Sequence, residues 1–213
     1  MLKENKRTLI LTSIVTVLPI VIGLFLWNQL PDKMATHFGI NNEADGYSSK
    51  LFAVIGLPLF LLAMQWLCAL VISRDPRKQN ISPKLFTLCL WIVPIVSLIV
   101  AAIQYPYNLG YQVDMSFWLG LLLGVMFIVI GNYLPKARQS YTIGIRIPWT
   151  LANEENWNRT HRLAGPLWMI GGILLVILTL TRLMPMVWLL AIPFAVILAP
   201  CIYSFLLHTR HGL

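Results

Sequence analysis

The sequence predicts an all-α integral membrane protein. It has six transmembrane helices, both termini in the cytoplasm, and an ordered cytosolic loop holding an extended segment and a short amphipathic helix. Three observations predict this. Of the 213 residues, 58% are hydrophobic and 11% charged, against about 25% charged in soluble domains. The apolar residues fall in unbroken runs of about twenty, the length that crosses a bilayer core. The basic residues are concentrated on alternate connections, as the positive-inside rule requires of a multi-pass chain.

The first predicted span runs from Thr8 to Trp27. Lys3, Lys6 and Arg7 precede it as they would in a signal peptide, but the run exceeds the usual ~7–15 apolar residues. The "NQLPDK" that follows has no small-x-small cleavage site, so the segment reads as an uncleaved span. The second covers Leu51 to Ile72, the third Leu85 to Gln104 and the fourth Ser116 to Leu134. The fifth covers Leu163 to Thr181 and the sixth Val187 to Leu207. At ~1.5 Å per residue each is long enough for a core of about 30 Å.

Lys3, Lys6 and Arg7, then Arg74, Arg77, Lys78 and Lys84, then Lys136, Arg138, Arg146, Arg159 and Arg162, and finally Arg210 share one side. Only Lys33, Lys50 and Arg182 lie on the other. Thirteen against three places both termini in the cytoplasm, and an even number of spans demands the same. The net charge of +8 would suggest nucleic acid in a soluble protein; here its distribution over loops is the informative quantity.

No span has an ionisable residue near its centre; Gln65, Ser97, Gln104 and Asn132 are the polar exceptions. Intramembrane charges mark ion and proton paths, so their absence argues against an ion-coupled transporter. Pro19, Pro58, Pro94, Pro193 and Pro200 predict kinks that neighbouring spans accommodate. Cys68, Cys89 and Cys201 lie inside spans without a CxxC spacing and read as small hydrophobes.

Two connections stand out. The first outer loop, residues 29–50, is rich in turn formers: Pro31–Asp32, Gly39, Asn41–Asn42 and Asp45–Gly46. Asp32, His37, Glu43 and Asp45 are potential metal ligands, but such spacings are ordinary in solvated loops, and no metal or cofactor is predicted. Its mildly acidic balance suits a cationic or amphipathic outer ligand, with Tyr47 at the interface.

The second, residues 135–162, begins where Pro135 stops the fourth span. Lys136 and Arg138 then lie at headgroup height, where they attract anionic lipid. Ile143, Ile145 and Ile147 alternate with Gly144 and Arg146, an extended periodicity whose backbone groups need protein partners beside a membrane. A helix restarts at Asn153 as N-cap, with Glu154 and Glu155 in its first turn and Glu155–Arg159 as an i,i+4 pair. Asn153, Trp157 and His161 share a face. Pro166 disfavours helical geometry at Gly165, so this helix is expected to end or bend there.

Two readings of the loop stand side by side. In one it is an interfacial amphipathic helix. In the other Arg146, Trp149, Trp157, His161 and Arg162 converge on an acidic or aromatic partner. His161 has acid–base capacity, but no nucleophile, base and acid set accompanies it, and an enzyme is not predicted.

The stretch "GNYLPKARQSYTIGIRIPWTLANEENWNRTHRLAG", residues 131–165, resembles the signature of the SdpI family of bacterial immunity proteins. The outer "LPDKMATHFGINNEADGYSSK" resembles the DUF1648 segment that precedes it in such proteins, although "NEADG" departs from the usual Gly-x-Pro-Asp. The matching signature positions are Asn132, Tyr133, Pro135, Arg138, Gly144, Arg146, Pro148, Trp149, Thr150, Asn153, Trp157, Thr160, His161, Arg162 and Gly165. The resemblance implies a DUF1648-like unit over 1–72 and an SdpI-like unit over 73–213. It also implies a bacterial cytoplasmic-membrane protein that protects against a secreted, cannibalism-type peptide toxin on the outer side. On the cytosolic side it implies a winged-helix repressor drawn to the membrane. The expected partner surface comprises Lys136, Arg138, Arg146, Trp149, Asn153, Trp157, His161 and Arg162. The outer ligand surface comprises Asp32, His37, Glu43, Asp45 and Tyr47. Membrane lipid is a further partner and nucleic acid is not. The competing expectation is a membrane scaffold, transporter or lipid-handling protein with a basic cytosolic loop.

Overall fold

Hydropathy fixes most of the architecture. The computed structural model describes residues 1–39, 43–183 and 186–213. Its helices are α1 (Lys6–Phe25), α2 (Leu57–Ser73), α3 (Pro83–Asn108), α4 (Met115–Tyr133), α5 (Pro148–Ala152), α6 (Glu154–Leu180) and α7 (Met186–His211). A π-turn, Phe52–Gly56, leads into α2. Six helical segments are long and apolar enough to cross a membrane: Lys6–Phe25, Phe52–Ser73, Pro83–Asn108, Met115–Lys136, Glu154–Leu180 and Trp188–His211. Large apolar side chains such as Val21, Phe25, Ile170, Leu190 and Phe194 are exposed along them. A soluble protein does not expose contiguous apolar surface on this scale, whereas lipid covers it.

The fold is not purely helical. The turn-rich stretch after α1 forms an antiparallel hairpin, β1 (Lys33–Phe38) with β2 (Ala44–Ser49). Register runs Lys33–Ser49, Met34–Ser48 and Ala35–Tyr47, then shifts around Thr36 to His37–Gly46 and Phe38–Ala44. Asp45–Gly46, read from sequence as a turn, lies inside β2; Asn41–Asn42 fall outside the described residues. Two short strands with few apolar residues give almost no period-two signal, which is why the hairpin is hidden in the sequence.

The chain divides into two compact units, Met1–Leu70 with Phe86–Trp118, and Val71–Leu85 with Leu119–Leu213. α3, although it follows residue 72, packs mainly in the first. That unit is tied by a buried polar knot. The Thr16 hydroxyl donates to Gln65 Oε1, Gln65 Nε2 donates to the Thr12 hydroxyl (2.7 Å), and Ser97 Oγ donates to the Thr16 carbonyl (2.8 Å). In a medium without water such groups must pair within the protein, so the knot fixes the register of α1, α2 and α3. Met34 of β1 inserts into an apolar cluster with Leu30, Ala53, Val54, Ala101 and Tyr105, which seats the hairpin.

The second unit depends on close approach. Gly124 and Gly131 on α4 face Gly172 and Gly165 on α6. A Cβ on Gly131 would lie 2.8 Å from the Gly165 carbonyl oxygen, and one on Gly172 would lie 2.5 Å from the Gly124 oxygen. Small residues at matching positions let membrane helices pack backbone to backbone. Phe127, Leu175 and Ile192 form the adjoining apolar cluster.

α6 corrects another expectation. The helix that starts after Asn153 does not stop at Gly165; it continues through Pro166 to Leu180. Proline removes one hydrogen bond, while Trp157, Thr160, His161, Ala164 and Gly165 are all buried on this stretch, and their packing keeps the segment helical through Pro166. The predicted short amphipathic helix is therefore the first third of the fifth span. The separate one-turn helix is α5, with Pro148 at its first position, where a missing N–H costs nothing.

Candidate functional site

The 134–162 connection is built from the α4 end upward. Leu134–Lys136 form a 3-10 turn, and Pro135 sits against Gly165, where a Cβ would meet its ring at 2.3 Å. That docking carries Ala137 to α6, where its carbonyl accepts the Trp157 indole N–H (2.8 Å). Trp157 is fully buried and stacks on His161 with ring centroids 4.0 Å apart.

Residues 141–147 are not a strand. They bend, with Gly144 at φ 121°, and side chains instead of a neighbouring strand satisfy their main chain. His161 is central. Its Nδ1 lies 2.8 Å from the Trp157 carbonyl and its Nε2 2.9 Å from the Ile145 N–H. A carbonyl only accepts and an amide N–H only donates, so the ring is the neutral Nδ1–H tautomer. Gly144 must lack a side chain: a Cβ would lie 2.6 Å from both His161 Nε2 and the Trp157 ring, and its positive φ is a glycine conformation. Thr150 donates to the Ile145 carbonyl (2.8 Å) and accepts from the Ile147 N–H (3.0 Å).

A second anchor comes from residues the sequence did not single out. Asp75, the only acid among Arg74, Arg77, Lys78 and Lys84, is buried. Its carboxylate accepts from the Arg77 N–H (2.7 Å), the Tyr141 N–H (2.9 Å) and the Thr142 hydroxyl (2.6 Å). The Arg77 guanidinium donates to Gln139 Oε1 and lies 5.0 Å over the Tyr141 ring. Gln139 Nε2 donates onward to the Thr150 and Leu151 carbonyls (2.7 and 3.0 Å). Asn156, also buried, receives the Thr160 and Ser204 hydroxyls and donates to the Ser204 carbonyl (3.0 Å). A lone carboxylate among four cations is the one sequence signal that could have found Asp75; Gln139 and Asn156 carry none.

The predicted partner surface is thus divided. Trp157 and His161 face inward and shape the loop. Asn153 caps α6 through its side chain, accepting from the Asn156 N–H (3.0 Å). Trp149 stands against Phe205 and stacks on His208 (centroids 5.3 and 6.1 Å). Lys136, Arg138, Arg146 and Arg162 are exposed. Lys136 lies 5.4 Å over Tyr133 and donates to Asn132 (3.1 Å), and Arg146 donates to the Tyr141 carbonyl (2.9 Å). Arg159 pairs with Glu155 at 2.6 Å, as its spacing predicts.

The outer set is divided as well. Asp32 pairs with Lys50 at 3.1 Å and His37 with Asp45 across the hairpin, while Glu43 and Tyr47 are exposed. They make two separate pairs, and among the described residues no group of three or more His, Cys, Asp or Glu is placed to hold a metal.

This architecture can be compared with known proteins. Residues 136–204, which contain the His161 and Asp75-anchored loop, match the SdpI/YfhL protein family. The chain carries an SdpI/YfhL family segment. Residues 14–62, spanning most of α1, the hairpin and the start of α2, match a domain of unknown function, DUF1648. "Immunity protein SdpI" of Bacillus subtilis (strain 168) is 24% identical over 174 residues, 80% of this chain and 80% of that protein. No solved structure matches the chain significantly. The buried polar anchors Gln139, Thr150, Asn156, Thr160 and His161 all lie within the SdpI/YfhL segment.

Proposed function

We propose that this chain is an immunity and sensor protein of a bacterial cytoplasmic membrane, protecting its cell from a secreted, cannibalism-type antimicrobial peptide. The observation that carries the reading is the identity shared along 80% of both chains with a relative named for immunity. The two family segments and the six apolar helices support it. In this reading both termini and the 134–162 connection are cytoplasmic, following the thirteen basic residues on that flank, and the β1–β2 hairpin is outside. Peptide is held at the hairpin and the outer halves of the spans, with apolar burial as the driving force. The test is expression in a sensitive strain exposed to secreted killing peptides. Survival is expected; unchanged killing by every peptide tried would overturn immunity.

The exposure of Lys136, Arg138, Arg146 and Arg162 on one connection favours a second limb. These cations recruit an acidic surface of a winged-helix repressor when peptide is bound, provided the loop has two arrangements that peptide binds unequally. Replacing Arg146 and Arg162 together by Ala should leave survival intact and abolish co-purification of the repressor. Orientation is read with a cysteine at exposed Arg146 in a background lacking Cys68, Cys89 and Cys201. An impermeant maleimide should label it only after the membrane is opened, and labelling in intact cells removes the signalling limb.

A further inference from the structure

The hairpin leaves one main-chain edge open. In an antiparallel pair, residues alternate between those that exchange both main-chain bonds with their opposite and those whose N–H and C=O point outward. Ala35 is of the second kind: its N–H donates to Asn108 Oδ1 (2.7 Å) and its C=O accepts from Asn108 Nδ2 (3.1 Å). The Asn108 carboxamide therefore closes the β1 edge as a neighbouring strand would. Ala35 is in register with Tyr47, and Lys33 with Ser49, so the N–H and C=O of Tyr47 and the N–H of Ser49 point outward from β2. The Lys50 N–H to Asp32 C=O bond (2.9 Å) has the parity this requires. The Ser49 carbonyl is already engaged, because helix begins at Lys50 and an N-cap carbonyl accepts the first intrahelical bond; among the described residues no hydrogen bond reaches the N–H or C=O of Tyr47.

Open edges are ordinarily blunted by proline or by a lysine. Ala44–Ser49 contains neither, and the adjacent Lys50 is held by Asp32 and the Trp27 carbonyl (3.1 and 3.2 Å). The exposed carboxylate of Glu43 beside this edge favours a cationic visitor, while Asp45 is held by His37. Tyr47, 61% exposed, offers a ring to a cross-strand side chain.

We infer that β2 captures an extended cationic peptide as a third strand, pairing with the N–H and C=O of Tyr47 and the N–H of Ser49. This rests on the immunity reading for its biological peptide, but the capture is read separately. The probe is a fluorescent ten-residue alternating Lys/Val peptide, titrated against the full chain in detergent by anisotropy. A second probe is the same peptide N-methylated at alternate amides. Tyr47→Pro, which removes an outward N–H and no ladder bond, is compared with Tyr47→Phe.

The wild type and Tyr47→Phe should bind the first peptide. Methylation or Tyr47→Pro should weaken binding about tenfold, the effect of losing one or two main-chain bonds. Equal binding of both peptides by the wild type overturns the proposal, whatever the folding of the proline variant. So does a Ser49→Cys disulfide between two copies in the peptide-free protein, because a second copy then owns the edge. If the peptide arms fail while expressing cells still survive the killing peptide, strand capture is lost and immunity stands. Killing with binding intact removes immunity and leaves capture in place.

Discussion

Asp75 and His161 show how single residues hold a stretch, 137–147, that has no helix or strand of its own. Each supplies acceptors to main-chain N–H groups that would otherwise be orphaned, Tyr141 for Asp75 and Ile145 for His161. An unmet buried donor costs about 1–3 kcal/mol, and bonds to a charged acceptor are stronger than neutral ones. Asp75→Ala strips three donors of their acceptor at once. It should lower stability by about 3 kcal/mol and expose 139–147 to protease in detergent, with Asp75→Asn intermediate. His161→Phe keeps a ring for Trp157 to stack on but abandons Ile145, and should cost about 1–3 kcal/mol in the same assay. If His161→Phe matches the wild type, the imidazole is not the loop's support. These roles were not legible locally. Asp75 lies 66 residues from Tyr141, and the face shared by Asn153, Trp157 and His161 looks the same whether it turns toward a partner or inward.

At the scale of elements, α4 and α6 meet through glycines spaced seven apart on each helix, 124 and 131 against 172 and 165. Backbone contact at this distance admits no side chain, and overpacking of a fixed interface costs typically 1–3 kcal/mol. Gly131→Ala and Gly172→Ala should each lower the detergent unfolding temperature, and the pair together more than either. Because Pro135 rests on Gly165, loosening this contact should also free Ala137 from Trp157, read as increased Trp157 solvent exposure by fluorescence quenching. An unchanged melting profile in both variants would mean the helices separate at no cost. The span assignments anticipated α4 and α6 but not their contact. Hydropathy places a helix in lipid and does not say which face meets which neighbour. Pro166 likewise suggested a break that burial on the N-terminal third of α6 overrides.

For the molecule as a whole, the proposed division of labour assigns protection to the outer hairpin and signalling to the basic connection. The signalling part is then removable without the protective one: double replacement of Arg146 and Arg162 by Ala spares survival, whereas Tyr47→Pro weakens peptide capture and, with it, peptide-dependent repressor recruitment. The six spans were legible because hydropathy is a property of composition along the chain, and the likeness of 131–165 to the SdpI family was legible as a sequence signature.

The sequence by itself determined how many times the chain can enter lipid and which connections carry its charge. Those follow from transfer free energies that sum residue by residue over about twenty positions. Tertiary structure decided which polar residues work inside and which face out. It turned Trp157 and His161 inward, recruited Asp75 and Arg77 to a distant loop, and used Asn108 to close one edge of a hairpin while leaving the other open. Hydrogen bonds are directional and pairwise, and where water is excluded every donor must find its acceptor. The partner is chosen by proximity in space, which spacing along the chain does not record.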